Sequence, residues 1–167
     1  MKNDIKAIKG MLLVILAILS IFLIYDIYCF MIGMLKDTDY PFLFGYTTHH
    51  VIEDNMSPDI NKNDLLIIKK QDFYSSDDIV LFNSNGGYRI GFIKDTPKGE
   101  YIIQDNINSI NEDFKITGNQ IIGKETKNIK GFAKIFNFLT SGYMIGIIFV
   151  FVGLYIFTTL RDRKSWQ

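Results

Sequence analysis

Four side chains in the middle of the chain have types that could support nucleophilic catalysis. Ser57 carries a hydroxyl, and His49, His50 and Lys94 could act as general bases. A serine becomes a nucleophile when a base lies within hydrogen-bond reach. The histidines precede Ser57 by seven and eight residues, so an extended chain of about 3.3 Å per residue would hold them more than about 20 Å away. We therefore expect both histidines to be solvated strand residues, and Lys94 would have to be desolvated and redirected to act as a base.

Metal and cofactor chemistry has few candidate ligands in this sequence. Cys29 is the only cysteine, which excludes an intrachain disulfide and a cysteine-based zinc site. The residue pairs Asp77-Asp78 and Asp54-Asn55 lack the alternating oxygen ligands of a calcium loop, and we interpret them as solvated turn residues. The sequence thus predicts neither a metal nor a cofactor. Eighteen Lys and Arg balance eighteen Asp and Glu, so a nucleic-acid partner is not expected either.

The elements that would position these groups begin with a long apolar segment. Residues 11–35 contain a single charged residue, Asp26. As a helix this segment would measure about 37 Å, against a hydrocarbon core of about 30 Å. A cleaved signal peptide is the alternative, but the run continues into bulky aromatic residues without a small-residue cleavage site. We predict an uncleaved transmembrane anchor, with Asp26 near the outer interface or facing a second span.

A second apolar segment lies near the other end of the chain. No charged residue occurs between Lys134 and Arg161, and this length is sufficient to span a membrane. We predict a transmembrane helix over residues 140–160, with Tyr143 and Tyr155 as interfacial anchors.

The charges of the flanking segments predict the orientation. Residues 1–10 and 161–167 each carry three basic residues and one acidic residue, whereas residues 37–139 carry 11 basic and 15 acidic residues. Basic flanks remain in the cytoplasm. Residues 1–10 and 161–167 are therefore predicted to be cytoplasmic, and residues 36–139 are predicted to form an extracytoplasmic domain of a two-pass cell-membrane protein.

The middle domain has the pattern of a β fold. Sustained helical periodicity is absent, and short apolar runs alternate with turn residues. The runs are residues 65–68, 79–82, 89–93, 101–103 and 120–123. Short strands at this spacing are typical of an antiparallel or barrel-like β domain, and Asn85-Gly86-Gly87 predicts a hairpin because these residues tolerate positive φ. The predicted fold is a mainly β extracytoplasmic domain flanked by two transmembrane α-helices.

Several short motifs occur in a fixed order between residues 43 and 124. They are Asn55-Met56-Ser57-Pro58-Asp59-Ile60, Asn63-Asp64, Asp77-Asp78-Ile79-Val80, Tyr88-Arg89-Ile90, Ile103-Gln104-Asp105-Asn106-Ile107-Asn108 and Gln120-Ile121-Ile122-Gly123-Lys124. The series resembles type I signal peptidases of the endoplasmic-reticulum and archaeal branch. That family typically shows Ser-Met-x-Pro-Thr-Ile, Gly-Asp, Gly-Asp-Ile-Val, His-Arg-Val, Lys-Gly-Asp-Asn-Asn and Gln-Ile-Val-Gly-Lys. The resemblance implies a signal-peptidase-like β fold for the extracytoplasmic domain.

The resemblance also implies a catalytic site that has degenerated in this chain. The family places a serine nucleophile before the Met and a His or Lys base before the Arg, where this chain has Asn55 and Tyr88. The supporting aspartate is retained as Asp105, with Asp113 as a second candidate. An amide is not a useful acyl acceptor, and a tyrosine with a pKa of about 10 is a poor base at neutral pH. Ser57 lies two residues from the nucleophile position, and a displacement of about 1 Å already impairs catalysis.

The substrate groove is the part of the site that the chain retains. In the family, the Met-x-Pro turn and neighbouring strands form the groove floor, which implies that Met56, Ser57, Pro58 and Ile60 line it here. Such a groove could bind an extended segment by adding a strand to a sheet edge.

Three functions remain open from the sequence. The first is an inactive protein that binds a segment of a secreted or cell-surface client and assists its processing or assembly. The resemblance allows a pilin or a signal-peptide-bearing precursor as the client, because family members without the catalytic pair act as pilus assembly factors. The second is an active signal peptidase with a non-standard nucleophile. The third is a structural subunit of a membrane complex, with membrane lipid as its other partner. The sequence makes no prediction of an oligomeric state.

Overall fold

The computed structural model of the chain describes residues 2–84, 86–97, 99–105 and 113–164. The chain divides into two compact units. Residues 1–37 and 135–167 make up the first, which we call the helical unit, and residues 38–134 make up the second, which we call the β unit.

The helical unit contains two long apolar helices that pack against each other, α1 (Lys2–Lys36) and α3 (Tyr143–Lys164). Both are long and apolar enough, by length and composition, to cross a membrane. Most of their apolar side chains are exposed, including Ile24 and Phe149. A helix that is apolar on every side is typical of a membrane span. Helix α1 extends beyond the predicted span of residues 11–35 at both ends. Helix α3 begins three residues after the predicted start at residue 140 and continues past residue 160 into its charged flank.

Asp26 of α1 lies in a cleft of about 340 Å³ within the helical unit. Thr140, Ser141 and Gly142, which precede α3, line the same cleft, together with Ile145 of α3 itself. Asp26 is therefore on the side of α1 that faces the start of the second long helix, which is one of the two positions predicted for it.

The β unit is built on one seven-stranded antiparallel sheet. Its strands are β1 (Tyr46–His50), β2 (Leu65–Lys69), β3 (Ile79–Ser84), β4 (Gly87–Asp95), β5 (Glu100–Gln104), β6 (Asp113–Thr117) and β7 (Ile121–Ile129). Their order across the sheet is β1-β2-β7-β3-β4-β5-β6. A short helix, α2 (Ala133–Leu139), follows β7. The prediction of a mainly β domain and of two long apolar helices is confirmed.

Both faces of the sheet are covered, which explains why the strands are continuous apolar runs. In β3, Val80 and Phe82 belong to one buried cluster, whereas Leu81 belongs to another on the opposite face. Successive strand residues point to opposite faces, so a strand buried on both sides needs no polar alternation. The second cluster also contains Met56 and Ile60, which connects the core directly to the predicted groove.

The predicted strands agree with the sheet except at their margins. The hairpin around Gly86 joins β3 to β4, with Ser84 opposite Gly87; Asn85 lies outside the described residues. Gln120 belongs to a 3-10 turn (Gly118–Gln120) instead of the strand that follows it. The sequence did not predict β6 or α2.

Candidate functional site

A cavity of about 300 Å³ opens on the β unit where four segments of the chain converge. The segments are the end of β1 with the residues after it, the turn that contains Asn55 and Met56, the start of β4, and the end of β5. The lining residues are His49, Val51, Ile52, Glu53, Asn55, Met56, Ile60, Gly87, Tyr88, Arg89, Ile90 and Asp105. Asn55, Tyr88 and Asp105, which lie in three separate motifs of the sequence, therefore share one cavity.

A compact turn at residues 54–60 brings the segment after β1 back toward the cavity. The Ser57 amide donates a hydrogen bond to the Asp54 carbonyl at 3.2 Å, and the Ile60 amide donates to the Met56 carbonyl at 3.0 Å. The Asp54 carboxylate also accepts a hydrogen bond from the Lys62 amide at 2.6 Å. The extended path expected between the histidines and Ser57 is therefore wrong, because the chain folds back on itself here.

The side chain of Asn55 is held by a local hydrogen bond. Its Nδ2 donates to Oε2 of Glu53 at 2.7 Å. Both residues line the cavity. The amide therefore offers a polar surface to a ligand, and no group on Asn55 can be activated as a nucleophile.

The hydroxyl of Tyr88 is also engaged. It donates to Oδ2 of Asp39 at 2.8 Å, and the Tyr88 ring meets the Tyr40 ring edge-on with 4.6 Å between centroids. The hydrogen bond to Asp39, burial and the charge of Asp39 all raise the pKa of Tyr88 above its ordinary value. Tyr88 therefore remains protonated at neutral pH and cannot accept a proton as a general base.

His49 is a cavity residue that the sequence interpretation missed. Its Nδ1 lies 2.6 Å from the Tyr40 hydroxyl. Burial, with a smaller contribution from neighbouring His50, lowers the pKa of His49 to about 4, so the ring is neutral at neutral pH and is not a solvated strand residue. The available sequence signal was strand periodicity, since His49 and buried Val51 are two residues apart and share one side of the chain.

Asp105 closes one side of the cavity and forms an ion pair with Arg89. Nη1 of Arg89 donates to Oδ2 of Asp105 at 2.6 Å, and the two side chains are 45% and 3% exposed. Asp113, the second aspartate candidate, does not line the cavity. It lies on β6 and forms an ion pair with Lys94 at 3.1 Å. The lysine that was considered as a general base is therefore already paired with a carboxylate. The Asn106-Ile107-Asn108 part of the motif lies outside the described residues.

The predicted groove residues divide into two groups. Met56 and Ile60 line the cavity but are only 4% and 2% exposed, because their side chains are part of the core. Ser57 and Pro58 do not line it. The apolar surface that a ligand could contact is instead supplied largely by Ile52, which is 61% exposed.

Comparison with protein-family models and with curated proteins finds no match to this chain. Within the described residues, no group of three or more His, Cys, Asp or Glu side chains is arranged to hold a metal ion.

Proposed function

We propose that this chain is a two-pass membrane protein of the signal-peptidase-like kind that binds a client segment without cleaving it. The client is a secreted or cell-surface protein, such as a pilin or a signal-peptide-bearing precursor, whose processing or assembly the protein assists. The observation that carries this proposal is the convergence of Asn55, Tyr88 and Asp105 on one cavity. These are the positions at which the resemblance implies nucleophile, base and supporting aspartate.

Two backbone conformations support the resemblance independently of the cavity. Asn63 and Asp77 have φ angles of 71° and 68°, a region in which glycine is the residue without steric strain. These are the two positions at which the related motifs carry the Gly of Gly-Asp. Asn and Asp are the non-glycine residues that tolerate this conformation best, so the chain keeps the local geometry of the motif without its glycines.

The hydrogen bonds around the cavity favour binding over catalysis. Asn55 and Tyr88 each donate to a carboxylate, which leaves neither a nucleophile nor a base at those positions. Ser57 lies outside the cavity lining, which argues against the active-peptidase alternative. Because His49 of β1 lines the cavity and β1 is the first strand in the sheet order, a client strand added outside β1 would run along the cavity.

The proposal includes the membrane topology. The two apolar helices would cross the membrane with both chain termini in the cytoplasm, which leaves the β unit outside. Protease added to intact protoplasts should then degrade the β unit and spare short tags at the termini. A protected β unit would reverse this topology.

The binding proposal is tested by introducing a charge into the exposed part of the cavity. Met56→Asp is unsuitable because Met56 is a core residue, and a carboxylate there would destabilise the fold. Ile52→Lys changes an exposed cavity residue, and Phe73→Lys is the matched control, since Phe73 is 84% exposed and lies outside the cavity lining. Exposed substitutions of this kind usually change stability by less than about 0.5 kcal/mol.

The measurement is recovery of clients with tagged full-length protein from the native cell in mild detergent. We expect a secreted or surface protein to be recovered with the wild type and with Phe73→Lys, and to be lost with Ile52→Lys. Thermal unfolding of each variant controls for the fold. Equal recovery with both variants would refute binding in the cavity and leave the apolar helices as the surface that binds partners.

A further inference from the structure

Asp105 carries a buried carboxylate oxygen that no described residue satisfies. The side chain is 3% exposed and its Oδ2 accepts the hydrogen bond from Arg89. Its Oδ1 is buried without a hydrogen-bond partner among the described residues. Almost all buried polar atoms in folded proteins have a partner, and an unsatisfied one is costly. Asp105 lines the cavity, but Oδ1 itself has almost no accessible surface, so a donor can reach it only when the carboxylate turns toward the cavity. A ligand that enters the cavity could supply the missing donor in this way.

The charges around the cavity favour a cationic donor. Two carboxylates, Glu53 and Asp105, and one guanidinium, Arg89, line it. His49 is neutral near pH 7 because burial lowers its pKa to about 4. The lining therefore carries a net negative charge, and hydrogen bonds between a charged donor and a carboxylate are the strongest of the ordinary types.

The remaining lining suits an aliphatic stem. Ile52, Ile90 and Tyr88 all line the cavity, and Ile52 is exposed whereas Ile90 and Tyr88 are half-buried. A lysine side chain has a four-carbon stem that packs on apolar surface while its ammonium reaches a polar partner. The cavity volume of about 300 Å³ is at the small end of the range for ligand pockets, which fits a single side chain.

We propose that the cavity receives a lysine side chain of the bound client segment, whose ammonium donates a hydrogen bond to Oδ1 of Asp105 while its stem packs against Ile52 and Ile90. This inference rests on the proposed function, which it refines by assigning a preferred residue type to the client. A segment that binds through apolar contacts alone is the alternative outcome.

The test uses full-length protein in detergent micelles and acetylated, amidated pentapeptides of sequence Ala-Ala-X-Ala-Ala. X is lysine, norleucine, which keeps the stem without the charge, or acetyl-lysine, which keeps a donor without the charge. Binding is followed by NMR chemical-shift titration, which suits weak ligands. We expect the lysine peptide to bind at least about tenfold more tightly than either analogue, as a charge-assisted hydrogen bond implies.

The matched variants are Asp105→Asn and Asp113→Asn. Both remove one carboxylate from the β unit, but Asp113 lies outside the cavity and pairs with Lys94. Asp105→Asn should abolish the preference for lysine over norleucine, and Asp113→Asn should preserve it. If Asp105→Asn fails to fold, the wild type still decides, because only the lysine peptide should shift the side-chain carboxyl ¹³C resonance of Asp105.

Three results would overturn the inference. Equal binding of the lysine and norleucine peptides would show an apolar cavity without charge selection, and a preference that survives Asp105→Asn would place the acceptor elsewhere. Absence of binding by every peptide would remove the lysine site altogether. The proposed function is judged separately, by the loss of client recovery with Ile52→Lys, so its failure can be distinguished from the failure of this inference.

Discussion

The neutral state of His49 makes a quantitative prediction about acid stability. The imidazole is largely buried beside Tyr40, whose hydroxyl lies 2.6 Å from Nδ1. Protonation would place a charge in this site, and Nδ1 could then no longer accept a hydrogen bond from that hydroxyl, since both nitrogens of a charged imidazole are donors. Burial and the nearby His50 lower the pKa of His49 from its ordinary value of 6.5 to about 4.

The size of the effect follows from proton linkage. Between pH 6.5 and about 4 the unfolded chain binds a proton at this histidine that the folded chain does not bind, so stability rises with pH across this window. The stabilising contribution is fully present above the unfolded pKa and is lost as the pH falls through the window. The two pKa values correspond to about 3 kcal/mol in the free energy of unfolding.

The assay compares wild type with His49→Gln, which keeps a side-chain acceptor but does not titrate. Urea unfolding in detergent, measured between pH 7 and pH 4, should show an additional loss of about 2–3 kcal/mol for the wild type over the variant. Carboxylates titrate in both proteins and cancel in the difference. The ring itself is followed by NMR of ¹³C-labelled histidine, and comparison with the variant assigns its signal. A His49 midpoint near 6.5, or parallel stability curves, would refute the reasoning.

Three further outcomes are expected. Gly123→Ala should lower the midpoint of thermal unfolding by several degrees, because the new Cβ would lie 2.6 Å from a neighbouring backbone carbonyl oxygen, whereas Gly118→Ala, with its nearest atom at 3.6 Å, should change it little. Burial raises the pKa of Asp64, but hydrogen bonds from two backbone amides and an asparagine side chain, with a nearby lysine, lower this pKa more. Asp64→Asn should therefore destabilise the β unit at pH 7, and the difference in stability between variant and wild type should shrink below about pH 4. Purified protein should leave a secretory precursor uncleaved on a gel, since Asn55 cannot be a nucleophile and Tyr88 stays protonated, and cleavage above the uncatalysed background would contradict this.

The strands that the sequence predicted are those with the most burial. Residues 79–82 were recognisable because both faces of β3 are covered, so every position is apolar. Strand β6 was missed because it lies at the edge of the sheet, where Ile116 is its only buried residue. An edge strand exposes most of its side chains, so its sequence resembles a loop.

The site was predicted where motif order was informative and missed where the backbone path mattered. Asn55, Tyr88 and Asp105 were identified by their positions in ordered motifs, and the structure brings them together. Strand periodicity places His49 on the same side as Val51, but the sequence interpretation assumed an extended path up to Ser57. It therefore missed the turn after β1, which depends on backbone hydrogen bonds such as the one from the Ser57 amide to the Asp54 carbonyl. The burial of Met56 was missed because a Met in a turn can face either the core or solvent, and only the packing decides.

The hydrogen bonds of the cavity also bear on what chemistry it can perform. General-base catalysis needs an acceptor that is open to the substrate and has a pKa near the working pH. Tyr88 instead donates to Asp39, and Asn55 donates to Glu53. His49, the remaining imidazole, is engaged with the Tyr40 hydroxyl. Oδ1 of Asp105 is a buried acceptor without a partner among the described residues. A carboxylate without a nucleophile beside it can hold a donor group in place, which fits the proposed binding of a client better than its hydrolysis.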